Sequence, residues 1–319
     1  MGRPSAAALI EATELLRSRL RPRVSPVASP LVPTLSGLCE LASRYDAFFV
    51  DLHGVVHDGT RPFDGVVAAL RELSEADRRV IFLTNSSRSG ALVAEGLATM
   101  GIGSGLYDAV ISSGDVTREA LVSRDPRLFA RLPERPRSFH VGNPAFVPWL
   151  FELGLPFVDD LADADLVIAT GTAKDEPGLA RIRAQLAPAV ARGLPLLCTN
   201  PDRIIPTASG ITLGPGAIAF AYEELGGTAL LYGKPHAPMY EAARRLLVGR
   251  ATDARTVAVG DLLDTDVRGA RAAGIASVLV TATGGHAGSL GPVPTATAQA
   301  ALWAAAGIAP DMLLARFVW

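Results

Sequence analysis

The chain has 319 residues, with 30 basic and 32 acidic side chains and a formal charge of −2. That balance argues against a nucleic-acid binder, which needs a basic excess or stripe, and 49% apolar residues argue against intrinsic disorder. The length suggests two domains of ~150 residues each, with a core that needs no disulfide or metal staple. Cys39 and Cys198 are the two cysteines, and neither sits in a CxxC or Cys/His cluster. A disulfide framework is therefore excluded, and a zinc site is disfavoured. Two buried free thiols in a reducing cytoplasm is the expectation. No run reaches the ~18 apolar residues that span a bilayer.

At the N-terminus, the stretch Ala6 to Leu20 is interrupted by Glu11, Glu14, Arg17 and Arg19, so it does not read as a secretory signal. Leu9, Leu16 and Leu20 keep helical spacing and predict a short amphipathic helix. Pro22, Pro26, Pro30 and Pro33 then forbid a regular helix or central strand. Residues 1–36 read as an extension lying on the main body. From Tyr45 onward, short apolar runs alternate with amphipathic stretches. Strands are predicted over 47–52, 80–83, 110–111, 139–141, 166–169, 196–198, 230–231, 257–259 and 277–280. Helices are predicted near 66–76, 91–100, 116–122, 145–153, 179–190, 217–225, 239–248 and 267–273, with an Ala-rich one around 296–306. Such alternation predicts an α/β protein with parallel sheets covered on both faces.

In open α/β sheets, ligands bind beyond the carboxyl ends of strands, so polar residues that close apolar runs carry the information. Asp51 follows AFFV, Thr84 follows VIFL, Lys234 lies in LLYGKP, and Asp261 follows TVAVG. A doubly wound sheet gathers such positions on one edge. Asp51 and Asp261, with Asp264 and Asp266 close behind, repel one another unless a cation lies among them. Oxygen-only ligands favour Mg²⁺, held by carboxylates, water and substrate phosphate. Lys234 adds a fixed positive charge. Asn85, Ser86 and Ser87 read as the opening of a helix whose N–H groups hold an anion. These parts together suit a phosphate, and a free carboxylate suits attack on phosphorus. Asp or Thr after a strand is often only a cap or turn residue, but four such positions in order weigh against coincidence.

The segments AFFVDLHGVVHDG, VIFLTNSSR, YGKPHAPMY and VAVGDLLDTDVRGARAAGI resemble the four motifs of the haloacid dehalogenase (HAD) superfamily of phosphohydrolases. The segments VISSGDVTREAL, FHVGNPAFVPWLFELGLPFVDD, LVIATGT and LLCTNPDRIIPTASGITLGPGAIAFAYEELGG are similar to the cap of its type IIA group of sugar-phosphatase and nitrophenylphosphatase-like proteins. The resemblance covers about residues 45–285. It implies a Rossmann-like core with a parallel sheet, over 37–107 and 228–319, and an inserted α/β cap over 108–227. It further implies that Asp51 is the nucleophile, that Thr84 holds the transferring phosphoryl group with Asn85 beside it, and that Lys234 stabilises the charge. Asp261 matches the Mg²⁺ ligand and Asp266 its acidic partner, while position 53 supplies a backbone carbonyl to the metal.

Phosphatases of this superfamily usually read DxD in the first motif, and the second Asp is the proton donor. Here that position is His53. A histidine suits general acid–base work, though a nearby metal lowers its pKa and depletes the protonated form it needs as an acid. Two readings follow: a Mg²⁺-dependent phosphohydrolase of a small, sugar phosphate-like organophosphate, or a weakened or altered relative that binds a phosphometabolite or transfers another group. The stretch GLCELASRYDAFFVDLHGVVHDG and the ending PDMLLARFVW resemble a type IIA subgroup lacking the second Asp. Ser86, Arg88 and Lys174 join Asn85 as substrate-binding candidates. His57 is open between a substrate contact and a turn, while Asp58–Gly59 reads as a turn. His236 is expected near a helix start, His140 as a core histidine, and Asn200 and Asp202 as turn residues first. The partner is a small phosphorylated metabolite rather than nucleic acid or membrane, and base rates favour a homodimer.

Overall fold

A computed structural model of the chain describes residues 31–207 and 210–319. The amphipathic helix and most of the proline-rich segment expected at the N-terminus lie outside the described residues.

The apolar run Ala47–Val50 forms strand β2 and is buried at every position, as a strand covered on both faces must be. It pairs with β3 (Arg79–Thr84) on one side and with β11 (Thr256–Gly260) on the other. Beyond β3 lies β4 (Ala109–Ser112), and beyond β11 lie β12 (Ala276–Val280), β13 (Met312–Leu314) and β1 (Thr34–Leu35). The order β1-β13-β12-β11-β2-β3-β4 makes a seven-stranded sheet with every pairing parallel. From β2 the chain builds outward through β3 and β4. It later returns on the other flank at β11 and builds outward again. The loops after β2 and β11 therefore diverge, leaving a crevice at the switch point between them.

A second parallel sheet has four strands in the order β10-β7-β6-β5. These are β5 (Ser138–Val141), β6 (Leu166–Ala169), β7 (Pro195–Cys198) and β10 (Thr228–Leu231). The antiparallel hairpin of β8 (Ile204–Thr207) and β9 (Gly210–Leu213) stands beside it. One side of the large sheet packs Phe48, Val50 and Phe82 against the helix Val66–Glu75. The other side places Phe49, Ile81 and Leu83 in one apolar cluster with Ile168, Leu197 and Trp149 of the small sheet's side. The two sheets thus share a core. The outer face of the small sheet is closed by residues of the helices Glu176–Ala191 and Pro215–Glu224.

The structure corrects several sequence expectations. Strand β4 belongs to the large sheet although it falls within the 108–227 insertion, and β10 belongs to the small sheet although it falls in the returning 228–319 segment. Both are short parallel strands fed by a crossover helix, and an apolar run carries no mark of which sheet it will join. β1 places the end of the 1–36 extension in the large sheet. The helix expected near 145–153 is two short turns, Pro144–Phe146 and Pro148–Phe151. Each opens on a proline, whose missing N–H prevents one helix from running through. Cys39 is exposed rather than buried; it lies on the outer face of the helix Leu38–Ala42, whose Leu38, Leu41 and Ala42 turn inward. Among the described residues, no helix is long and apolar enough to cross a membrane.

The C-terminal segment after β13 closes the Val66–Glu75 side, with Phe317 fully enclosed in that cluster. Phe317→Ala is expected to cost about 3–5 kcal/mol, the usual price of a buried Phe-to-Ala cavity. Urea unfolding monitored by circular dichroism measures it.

Candidate active site

Asp51 follows β2 directly, and its backbone N–H bonds to the Val259 carbonyl of β11, 2.9 Å away. This register puts Asp51 beside Asp261, the residue after β11. Lys234 arrives from the other sheet, three residues past β10, and a cis peptide bond joins it to Pro235. Its ammonium lies 2.5 Å from Asp51 Oδ1 and 2.7 Å from Asp266 Oδ1. The Lys234 side chain is 4% exposed and that of Asp51 12%. Asp266 stands on a wide π-type turn, Leu263–Val267, after β11. Its second oxygen accepts the backbone N–H groups of Asp261 and Leu262 at 3.2 and 3.0 Å. Asp266 is thus fully occupied: one oxygen holds the lysine, the other the turn.

Asp261 sits in a slot built from glycine. Gly54 and Gly284 have φ of +85° and +77°, and a methyl group on either would overlap the Asp261 carboxylate. Gly285 N–H donates to Asp261 Oδ2 at 2.7 Å, and Thr283 Oγ1 donates to the Gly54 carbonyl at 2.6 Å. The loop after β12 therefore clasps both the carboxylate and the turn after Asp51. His286, in the same loop, is buried and accepts the Leu263 N–H on Nε2 at 3.3 Å. Sequence reading had drawn nothing from it.

Asp51, Asp261 and Asp266 bring one carboxylate oxygen each within 4.8 Å of one another. Burial, then Asp51 and Asp266, hold the Asp261 carboxyl well above the usual range. Burial likewise raises Asp266 despite Lys234. Burial pulls the Lys234 ammonium down, but Asp266 and Asp51 outweigh it, so the lysine stays charged. Three carboxylates against one ammonium leave excess negative charge in a desolvated space. A hard divalent cation fits this all-oxygen donor set. The His53 ring is not part of the set.

The loop after β3 carries Thr84, Asn85, Ser86 and Arg88. Thr84 Oγ1 accepts the Ser86 N–H at 3.2 Å, leaving its hydrogen free to donate. The helix does not open at Asn85 as expected. It spans Gly90–Thr99 with Ser89 as its cap, because Arg88 N–H turns back onto Ser86 Oγ at 3.2 Å. Asn85 is buried and contacts Lys234 and Asp202. Arg88 is exposed, with its guanidinium 5.3 Å from the Phe146 ring centre. Lys174 is exposed and left-handed at φ +60°. No hydrogen bond or ion pair among the described residues ties its side chain to the carboxylates.

Sequence reading missed how the small sheet meets this loop. Thr199, just after β7, donates to Ser87 Oγ at 2.6 Å, and Trp149 Nε1 donates to the Ser87 carbonyl at 2.9 Å. The carboxyl edges of both sheets therefore face the same gap. His53 and His57 stand edge to face, with ring centres 5.9 Å apart. Gly59 N–H donates to His57 Nδ1 at 3.0 Å. Burial and then His53 lower His57 to about 4, so it is neutral at pH 7 and serves the turn. Asp58 accepts from Thr60 and Arg61, the expected turn role. His236 occupies the cap position of the helix Ala237–Leu246 without a side-chain cap bond. His140 is half-buried against Thr170 Oγ1 at 2.7 Å.

Gly284→Ala forces a left-handed alanine into the Asp261 slot. Expected is a loss of about 1–3 kcal/mol of stability from strain alone, with weaker binding of added Mg²⁺, measured by calorimetry. Gly274→Ala, also at positive φ but with open space around it, is expected to leave Mg²⁺ binding unchanged.

A haloacid dehalogenase-like hydrolase family model matches residues 48–155, and a HAD-hydrolase-like model matches residues 231–303. A haloacid dehalogenase-like hydrolase structure from Brucella suis aligns with 89% of this chain and 100% of its own, at 30% identity and a TM-score of 0.72. A D-glycerol 3-phosphate phosphatase from Mycobacterium tuberculosis is 29% identical over 242 residues, 75% of this chain. The chain spans 64% of that relative's length. A glycerol phosphate phosphatase structure from the same species, in complex with magnesium, covers 77% of this chain and 71% of its own, at 28% identity and a TM-score of 0.59. With the parallel sheets and the four motifs, these matches place the chain in the haloacid dehalogenase-like family of hydrolases.

Proposed function

We propose that the protein is a Mg²⁺-dependent phosphomonoesterase acting on a small, sugar phosphate-like or polyol phosphate-like metabolite through a phospho-Asp51 intermediate. The observation that carries this reading is the buried Lys234 ammonium between Asp51 and Asp266, with Asp261 beside them. The relatives named as glycerol phosphate phosphatases support the substrate class.

Asp51, Asp261 and the carbonyl of residue 53 would hold the cation, with Asp266 fixing the turn behind them. The cation supplies charge neutralisation for an incoming phosphate. Asp51 attacks phosphorus and displaces the alcohol oxygen, forming an acyl phosphate that water then hydrolyses. Lys234 pairs with Asp51 and faces the phosphoryl oxygens, where a preorganised charge acts strongly. Thr84 donates its hydroxyl to the phosphoryl group. His53 is assigned the proton that the departing alcohol takes and that is later drawn from water. The small sheet's carboxyl edge, seated on Ser87, limits the room left for the alcohol portion and excludes water. Arg88 lies at this mouth. Lys174 is the weaker candidate, since it sits on the hairpin side, where its carbonyl accepts from Thr212.

Phosphate release from an ester panel with Mg²⁺ tests the reading, and Asp51→Asn is expected to fall to background. His53→Ala is expected to lose about 10²-fold in kcat, a general acid's share. Absence of turnover across the panel, with retained ligand-induced thermal shifts, would instead favour the binding-only reading that the histidine at position 53 suggests. Mg²⁺ should also raise the melting temperature. Since Asp261 is a raised carboxyl that must lose its proton to bind it, that rise is expected to be larger at pH 8 than at pH 5. Scanning fluorimetry at both pH values checks the sign.

A further inference from the structure

We infer that Asp202, a residue of the small sheet's side, is a positioning residue that sets the catalytic lysine through Asn85. The inference rests on the phosphatase reading of this site. It concerns a group that no motif of the nucleophile, metal or lysine includes.

The Asn85 side chain spends all its hydrogen-bonding hydrogens on structure. Its Oδ1 accepts the Lys234 N–H at 2.7 Å, and its Nδ2 donates to the Lys234 carbonyl at 3.0 Å and to Asp202 Oδ1 at 2.8 Å. One amide thus grips both backbone polar groups of Lys234, and its remaining hydrogen is anchored by Asp202. Asn85 is 4% exposed, so water does not replace a lost partner. An amide has two donors, and both are used. Asn85 is therefore no substrate ligand here but the clamp on the lysine's backbone.

Asp202 is itself fixed. Its N–H donates to Asn200 Oδ1 at 2.7 Å, and its carbonyl accepts the Gly216 N–H at 3.1 Å, at the start of the helix Pro215–Glu224. Pro201 and Ser113 close on Gly233 from the same side as Asn85, leaving no room for a side chain there. The chain from Gly233 to Lys234 is thus held by the loop after β3 and the loop after β7 together. The lysine's ammonium must meet Asp51 and Asp266 together, and about 1 Å of misplacement in such a site can cost about 10²-fold in rate. Docking of the small sheet and alignment of Lys234 are in this way one event. Burial pushes the Asp202 carboxyl up to about 6 against the Asn85 bond, and Oδ1 remains an acceptor in either protonation state.

The experiment compares Asp202→Ala, Asp202→Asn, Asn85→Ala and the double variant Asn85→Ala/Asp202→Ala in the full chain. Asparagine keeps an acceptor oxygen for Asn85, and alanine does not. Expected for Asp202→Ala is a fall in kcat of up to about 10²-fold with little change in KM, and Asp202→Asn restores most of it. The double variant is expected to be no slower than Asn85→Ala, since residues acting through one contact are non-additive. Independent of activity, hydrogen exchange of the Lys234 amide is expected to quicken about tenfold in Asp202→Ala, as loss of one hydrogen bond allows, and to stay near wild type in Asp202→Asn. Should Asp202→Ala fail to fold, Asp202→Ser, too short to reach Asn85, is read in its place. Unchanged Lys234 exchange, equal damage in the alanine and asparagine variants, or additive losses in the double variant would overturn the proposal. The exchange pattern across the variants, with no phosphate released by the wild type, would refute the activity and leave the clamp standing.

Discussion

A lysine ammonium shut away from water between two carboxylates is the contact around which this molecule is arranged. Desolvating such charges is expensive, and removing one partner leaves an uncompensated ion. The fold answers by supplying each partner from a different element. Asp51 comes from the end of β2, Asp266 from the turn after β11, and Lys234 from the end of β10 in the other sheet. None of the three can shift without exposing the others to an unbalanced charge. The two backbone N–H groups on Asp266 and the glycine slot around Asp261 serve the same end. They hold negative charge at a place where only a cation makes it comfortable.

The large sheet's topology explains why this contact can form at all. Only at the switch between β2 and β11 do adjacent parallel strands send their following loops apart. Asp51 and Asp261 occupy the two sides of that opening, and the register that pairs Val50 with Val259 puts Asp261 one residue beyond the level of Asp51. The small sheet then brings its own carboxyl edge over the opening, anchored on Ser87 by Thr199 and Trp149. Because residues of both sheets share the cluster containing Phe49, Leu197 and Tyr240, the lid is continuous with the interior and does not rest on polar contacts alone.

Much of this was legible in the sequence because strand ends are chemically conspicuous. A single Asp after AFFV or TVAVG stands out against apolar neighbours, and parallel-sheet logic predicts that such residues converge. What stayed hidden was of another kind. The sheet to which β4 and β10 belong depends on pairing between distant segments, which no local pattern records. The role of Asn85 is set by a backbone 149 positions away, and its type alone suggested a substrate ligand. Asp202 looked like a turn residue, and it is one, but its side chain also crosses to the other sheet. His286 was unreadable because its burial arises from a loop folding back over β11's end. Cys39 misled because a cysteine among leucines on a one-turn helix can face either way.

Both parallel sheets direct their carboxyl ends into one gap, from opposite walls. The walls are unequal. One carries the charges, locked by glycines and backbone bonds; the other carries short proline-opened turns such as Pro144–Phe146 and Pro148–Phe151. The exposed turn Pro144–Phe146 can lengthen, shorten or change side chains without disturbing either interior, since loops tolerate such change better than the strands that bear them, whereas Pro148–Phe151 is held by the buried Trp149 and Leu150. Selectivity can therefore drift over evolutionary time on one wall while reactivity is conserved on the other.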